Sequence, residues 1–294
     1  MSDMPDMPPL KYVDLFSGMG SFHYSFKKLG FECVMASDNY RPAQLNYEKN
    51  YGLSVMGDIR DIDPAEVPRY DILCAGFPCQ PFSQAGHHKG FGDSRGTMFY
   101  EVMRFVKVNK PATVVLENVP ALVNHDKGRT FMIIKQELQS EGYALVFKVL
   151  KCSDYGLPQM RKRLFVICFK QGTVDNLDDF FDLREYESKT TLTAYLGQDF
   201  EKDTAYTIRC GGRHSPIDDR HNWDGYWVRD GSERREYRLT IRDALKLQGF
   251  IGYELEGKNS EKWKMLGNTI PTIFTEMIGR RIVTFLSDAA KANV

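Results

Sequence analysis

"VDLFSGMGSF", residues 13–22, reads as a buried strand that breaks into a glycine turn and then starts a helix. Gly18 and Gly20 leave room for a ligand to approach the backbone, as in dinucleotide-binding turns. A GxG turn alone is weak, and a purely structural turn reads equally well. What lies around it settles the fold. Working outward, "KYVDLF" (11–16), "ECVMAS" (32–37), "LSVMG" (53–57), "YDILCAG" (70–76), "ATVVLEN" (112–118), "YALVFKVL" (143–150) and "RLFVICF" (163–169) read as strands. Between them, "MGSFHYSFKKLG", "RPAQLNYEKNYG", "TMFYEVMRFVKV" and "RTFMIIKQELQSEG" carry helical periodicity. Such alternation predicts an α/β fold, a doubly wound and mostly parallel sheet with helices on both faces.

After Phe169 the alternation stops. Residues 170–203 are acidic with little periodicity, and residues 204–238 are rich in Arg, Gly and aromatics. A helix resumes at Thr240, the N-cap before "IRDALKLQGF", and another runs from about Pro271 to Leu286. The reading is a first domain over 1–169, a small inserted lobe over 170–237, and a return to the first domain over 238–294. The 39 basic and 39 acidic residues cancel, so a nucleic-acid surface has to be local. Six cysteines without a CxxC pair read as reduced thiols, with neither disulfides nor a metal site. Without a long apolar run or an apolar leader, the expectation is a cytoplasmic protein away from membranes.

Chemistry collects where the strands end. Asp38 closes the second strand, where an acid can bind ribose hydroxyls, and Asp58 follows the third, where a carboxylate can accept from an adenine amino group. No GK[ST] follows the glycines, so the ligand reads as an adenosine without a triphosphate. Cys74 lies in an apolar strand as a small hydrophobe, whereas Cys79 sits in "GFPCQPFS" between prolines, the stiff turn a reactive thiol needs. Glu117 ends the fifth strand after a run of apolar residues. Burial there raises a carboxyl pKa toward neutrality and suits it to donate a proton. Arg161 and Arg163 in "QMRKRLFVI" are two apart and read as one strand face. Beside a thiol and a carboxyl they can hold a planar carbonyl and a phosphate, groups that a pyrimidine nucleotide offers; by themselves they read as a solvated edge.

The ordered set "DLFSGMGSF", "GFPCQPFS", "ENV", "QMRKR" and "GNTIP" resembles the cytosine-5 DNA methyltransferases, especially their small bacterial and phage members, from about Tyr12 to Phe285. The resemblance implies a Rossmann-like, S-adenosylmethionine-dependent methyltransferase whose inserted lobe recognises the target. It implies Cys79 as the nucleophile toward a flipped-out cytosine, with Glu117, Arg161 and Arg163 as its catalytic companions. Cofactor contacts carry over to Phe16, Gly18, Met19, Asp38 and Asp58, and further along to Ile59, Pro78, Met98 and Asn268. Two positions depart from the family pattern: Ser21 stands where Gly is frequent, and Asn39 where an aromatic is frequent, so that adenine stacking is either weaker or supplied by Phe16 or Tyr40.

Double-stranded DNA is the implied partner, met by a monomer, with a restriction endonuclease as the cognate partner of the same system. Gln80 and Ser83 carry over as DNA contacts. The glycine-punctuated stretch 83–96 resembles a loop that closes over DNA. In the lobe, residues 207–238 interleave seven arginines with aromatics. Arg209, Arg213 and Arg220 are the candidates for guanine contact, unless Asp218, Asp219 and Asp224 pair with them. Two alternatives stay open: a transfer-RNA methyltransferase with the same chemistry, and a catalytically inactive DNA-binding relative.

Overall fold

The computed structural model describes residues 8–78 and 98–292. Cys79, Gln80, Ser83 and the stretch 83–96 lie outside the described residues. Seven strands form the main sheet: β1 (Lys11–Leu15), β2 (Glu32–Ser37), β3 (Val55–Met56), β4 (Ile72–Ala75), β5 (Thr113–Asn118), β6 (Tyr143–Lys151) and β7 (Lys162–Lys170). Their order across the sheet is β3-β2-β1-β4-β5-β7-β6. The first five run parallel, while β7 is antiparallel to both β5 and β6. The order reverses between β1 and β4, so their carboxyl ends open a crevice at a switch point, where ligands of such folds bind.

The central strands are apolar along their whole length because both faces are covered. Side chains alternate between the faces. Val13, Leu15, Leu73, Ala75, Val114 and Leu116 pack on one side against α3 (Met98–Asn109) and α4 (Arg129–Ser140). Tyr12, Ile72, Cys74 and Val115 pack on the other with α1 (Ser21–Phe26) and α8 (Thr272–Ala292). A polar seam ties those two helices: Ser25 Oγ lies 2.7 Å from Thr275 Oγ1, which donates to Ser21 O. The Thr240 N-cap is present with a capping box, Asp243 N donating to Thr240 Oγ1 and Thr240 N to Asp243 Oδ2, at the start of α6 (Ile241–Leu247).

A second, antiparallel sheet, ordered β10-β9-β8, is built from β8 (Asp199–Phe200), β9 (Gly225–Asp230) and β10 (Glu233–Arg238). Its apolar residues Phe200, Tyr226 and Val228 share a core with Leu247 of α6 and with Trp263 and Leu266 of α7 (Asn259–Asn268). Residues 170–187, expected in the inserted lobe, differ in part. Leu177, Phe180 and Leu183 are buried in the core cluster that holds Phe169 and Ile282, and Arg281 of α8 donates to Phe180 O. No helix among the described residues is long and apolar enough to cross a membrane.

Candidate active site

A cavity of about 650 Å³ opens at the switch point. The glycine turn after β1 forms one wall, with Phe16 and Gly18 at positive φ. Asp38 sits at the end of β2 and organises both sides of the crevice. Its Oδ2 accepts from Gly18 N and its Oδ1 from Tyr40 N, each at 2.8 Å. Burial raises the Asp38 pKa, and those two N–H donors hold it down.

Behind the turn lies a support that the sequence reading did not single out. Tyr47 and Tyr51 stand four apart on α2 (Arg41–Tyr51), a spacing that puts both rings on one face. Tyr51 Oη donates to Gly20 O at 3.0 Å, and its ring stacks on His23 at 4.1 Å. A Cβ at Gly20 would lie 2.4 Å from the Tyr51 ring, at φ 78°, so only glycine fits. His23 is buried, with its pKa pushed down to about 4, first by desolvation and then by Lys27; it is neutral at physiological pH.

The second wall comes from the ends of β4 and β5. Gly76, Phe77 and Pro78 line the cavity and lead to residue 79. Asn118, another residue the motif reading left without a role, donates from Nδ2 to Phe77 O at 2.8 Å and fixes that exit. Glu117 is 7% exposed and pairs with Arg163, whose Nε is 2.8 Å from Glu117 Oε1. Desolvation raises the Glu117 pKa, while Arg163 and Arg161 oppose the rise. Glu117 Oε2 faces Gly76, where a Cβ would come within 3.2 Å of it. The site thus presents a buried acid with one oxygen held by a guanidinium and the other beside the cavity wall.

Arg161 is a correction. It precedes β7 rather than sharing a strand face with Arg163, and it is fully buried. Its Nη1 donates to Ile208 O, and its Nη2 to Gly267 O and Thr269 O, at 2.7–2.9 Å. Segment 158–160 pairs with the chain near Ala205, Met160 N donating to Ala205 O at 2.8 Å, while Arg161 O accepts from Cys152 N beside the end of β6. Burial, then Arg163, pushes the Arg161 pKa down to about 9, which leaves it charged at neutral pH.

Phe16, Gly18, Met19, Asp38, Pro78 and Asn268 all line the cavity. Asp58, Ile59 and Met98 do not. Asp58 is turned into a two-point pair with Arg60, which lowers its pKa, and takes a further bond from Asn39; Ile59 is buried in the core. Met98 packs against the same core cluster. Tyr40, proposed for stacking, lines the cavity with Lys264 Nζ 4.0 Å from its ring centre.

Farther out, Arg213 lies 4.7 Å over the Trp263 ring, Arg209 is exposed, and Arg220 donates to the neighbouring His221. Asp224 binds none of these three: its Oδ1 is 3.0 Å from Arg238 Nη1. Among the described residues no cluster of three or more His, Cys, Asp or Glu is arranged to hold a metal.

A crevice at the switch point of a Rossmann-like sheet, walled by a buried acid–guanidinium pair, is the place where an α/β enzyme binds its ligand. Residues 10–226 match the family model of the C-5 cytosine-specific DNA methylases. The chain is 45% identical to the type II methyltransferase M.NgoBI of Neisseria gonorrhoeae over 308 residues, covering 95% of this chain and 94% of that one. It is 40% identical to M.HhaI of Haemophilus parahaemolyticus over 297 residues, covering 89% and 90%. Among solved structures, the Dnmt2 methyltransferase of S. pombe superposes with a TM-score of 0.70 at 18% identity, covering 95% of this chain and 99% of that one, a likeness of fold. This chain belongs to the C-5 cytosine-specific DNA methylase family.

Proposed function

We propose that this enzyme transfers a methyl group from S-adenosylmethionine to carbon 5 of a cytosine flipped out of a short target sequence in double-stranded DNA, through a covalent adduct to Cys79. The observation that carries the reading is the Glu117–Arg163 pair, buried in the wall of the same cavity that Asp38 and the glycine turn shape. The residues fit the cofactor. Asp14 Oδ2 and Ser17 Oγ are buried without partners among the described residues, and both residues line the cavity. Buried polar atoms of this kind call for a polar ligand. Asp38 would take the ribose hydroxyls, Phe16 and Tyr40 the adenine, and Asn268 and Pro78 the remaining wall. When bound, S-adenosylmethionine supplies an electrophilic methyl group.

The chain's residues do the rest. The Cys79 thiolate forms a bond to carbon 6 of the cytosine, and the ring's electrons shift toward carbon 5 and nitrogen 3. Glu117, whose pKa burial raises, donates a proton to nitrogen 3, and Arg163 holds Glu117 and the ring carbonyl in register. After methylation, loss of the carbon 5 proton to a base expels the Cys79 sulfur as thiolate, and return of the nitrogen 3 proton to Glu117 restores the neutral aromatic ring. The segment from about residue 188 to 237, with Arg209, Arg213 and Arg220, reads the target, and a restriction endonuclease of the same system is the cognate partner.

The test is base-resolution methylation sequencing of DNA from a methylation-free bacterial host expressing the protein, with Cys79→Ala as control. Methylated cytosine in one short context, absent in the control, is expected. Methylation of transfer RNA with none on duplex DNA would overturn the reading.

A further inference from the structure

The guanidinium of Arg161 and the amide of Gln159, both fully buried, grip the backbone of the same residue. Gln159 Oε1 accepts from Ile208 N at 3.2 Å, and Arg161 Nη1 donates to Ile208 O at 2.9 Å. Ile208 is therefore fixed on both sides of its backbone immediately before Arg209. The other ends of the two side chains reach into the return segment. Gln159 Nε2 donates to Leu247 O at the end of α6, and Arg161 Nη2 to Gly267 O and Thr269 O around the end of α7.

Helix α7 faces two ways. Lys264, Met265 and Asn268 line the cavity. Trp263 carries the Arg213 guanidinium, and Gly267 lies so close to the recognition segment that a Cβ there would be 2.5 Å from Cys210 N. Cys210 also touches the cavity wall directly, its Sγ 3.1 Å from Asn268 Oδ1. The chain that bears Arg209 and Arg213 and the helix that bears Asn268 are thus packed backbone to backbone, with two buried polar side chains setting their register.

We propose that Gln159 and Arg161 are positioning residues that lock the 208–213 segment to α7, so that occupation of the target by that segment and occupation of the cavity favour one another. This rests on the function proposed above. Both terminal nitrogens of Arg161 donate to backbone carbonyls and the side chain is out of solvent, while its Nε is buried without a partner among the described residues. Three carbonyls from two separate segments converging on one guanidinium are a geometry that a lysine ammonium cannot reproduce. Displacing the 209–213 backbone moves the atoms packed on Gly267 and Asn268, and reshaping the cavity wall moves the same atoms in return. Thermodynamic linkage requires the effect to be equal in both directions.

The experiment uses the full chain and calorimetric affinity for S-adenosylhomocysteine, with and without a duplex holding the sequence found by methylation sequencing. In the unaltered protein the target duplex is expected to tighten that affinity by a factor in the range of about 5–150. Arg161→Lys is expected to bring the factor to within about threefold of one while the affinity without DNA changes far less, so that the loss lies in the coupling. A purely structural role would lower the melting temperature and leave the factor intact, and that result overturns the proposal. Should Arg161→Lys not fold, Gly267→Ala tests the same contact from the helix side with Arg161 retained, and a preserved factor there overturns the proposal equally. Equal affinities with and without duplex in the unaltered protein also overturn it. Cytosine methylation in a defined context would then still stand, so failure of the coupling is separable from failure of the proposed function.

Discussion

Replacing Glu117 by Gln and by Ala separates its chemistry from its packing. Arg163 Nε donates to Glu117 Oε1 at 2.8 Å, and the two side chains are 12% and 9% exposed. Gln keeps an acceptor at that oxygen, whereas Ala leaves a nearly buried guanidinium without its partner, which costs about 3–5 kcal/mol of stability. Both variants lose the proton donor, so both should slow methyl transfer by ~10²-fold or more. The sign of the pH dependence follows from burial. Desolvation raises the Glu117 pKa in the folded protein above its unfolded value, so the stability it confers is complete below the unfolded pKa and is lost as pH rises through the folded one. Gln does not titrate. Relative to the unaltered protein, Glu117→Gln should therefore gain stability as pH rises from the ordinary carboxylate range toward the raised value. Single-turnover transfer of radiolabelled methyl groups, together with urea unfolding across that range, reads both effects. A Gln variant with the wild-type rate, or Gln and Ala variants of equal stability, would refute the reasoning.

Other sites make separable predictions. Asp38→Asn offers one acceptor where two backbone N–H groups are bound, so affinity for S-adenosylhomocysteine should fall by roughly 1.5–3 kcal/mol, the worth of a charged hydrogen bond, as read by calorimetry. Unchanged affinity would remove Asp38 from the cavity's function. Arg213→Ala should weaken binding to the cognate duplex by ~1–3 kcal/mol if Arg213 reads guanine; equal loss on every sequence would make it a phosphate contact. Arg238→Ala should instead destabilise the fold by about 3 kcal/mol or more in thermal or urea unfolding, because Asp224, 1% exposed, loses its cation. A neutral result would mean that the other donors around Asp224 suffice.

The parallel half of the sheet was legible because its strands are short, apolar and closed by turn residues. "ECVMAS" reads as β2 over Glu32–Ser37, the bounds it has in the structure. The Thr240 cap was legible because its partner Asp243 lies within one turn. What escaped depends on contacts distant in sequence. Nothing local in "RLFVICF" states its direction, which comes from pairing with β5 and β6. Helix α7 has few apolar residues of its own and is held by Trp263 and Leu266 against the small sheet. Of the site, the acid, the glycine turn and Arg163 were readable from their positions at strand ends. The burial of Arg161 was not, because its partners Ile208, Gly267 and Thr269 come from segments distant in the sequence.

The direction of β7 decides both where Arg163 stands and where the chain after residue 187 starts. Glu117 pairs with Phe165 and Asn118 with Leu164, so the amino end of β7 lies at the cavity edge. Were β7 parallel, its start would lie at the opposite edge, some ~20 Å away at about 3.3 Å per residue, and Glu117 would be buried without a cation. The same reversal delivers the chain at Phe169 to the far edge, opposite Thr113. To contribute to the cavity side again, it has to climb back along the sheet. Residues 174–187 make that return, burying Leu177, Phe180 and Leu183 beside α8, and Ser188 N rejoins the cavity edge by donating to Asp154 O at 3.0 Å. An acidic, weakly periodic stretch that reads as part of a separate lobe is therefore a strut of the catalytic core, and it is the antiparallel strand before it that makes the strut necessary.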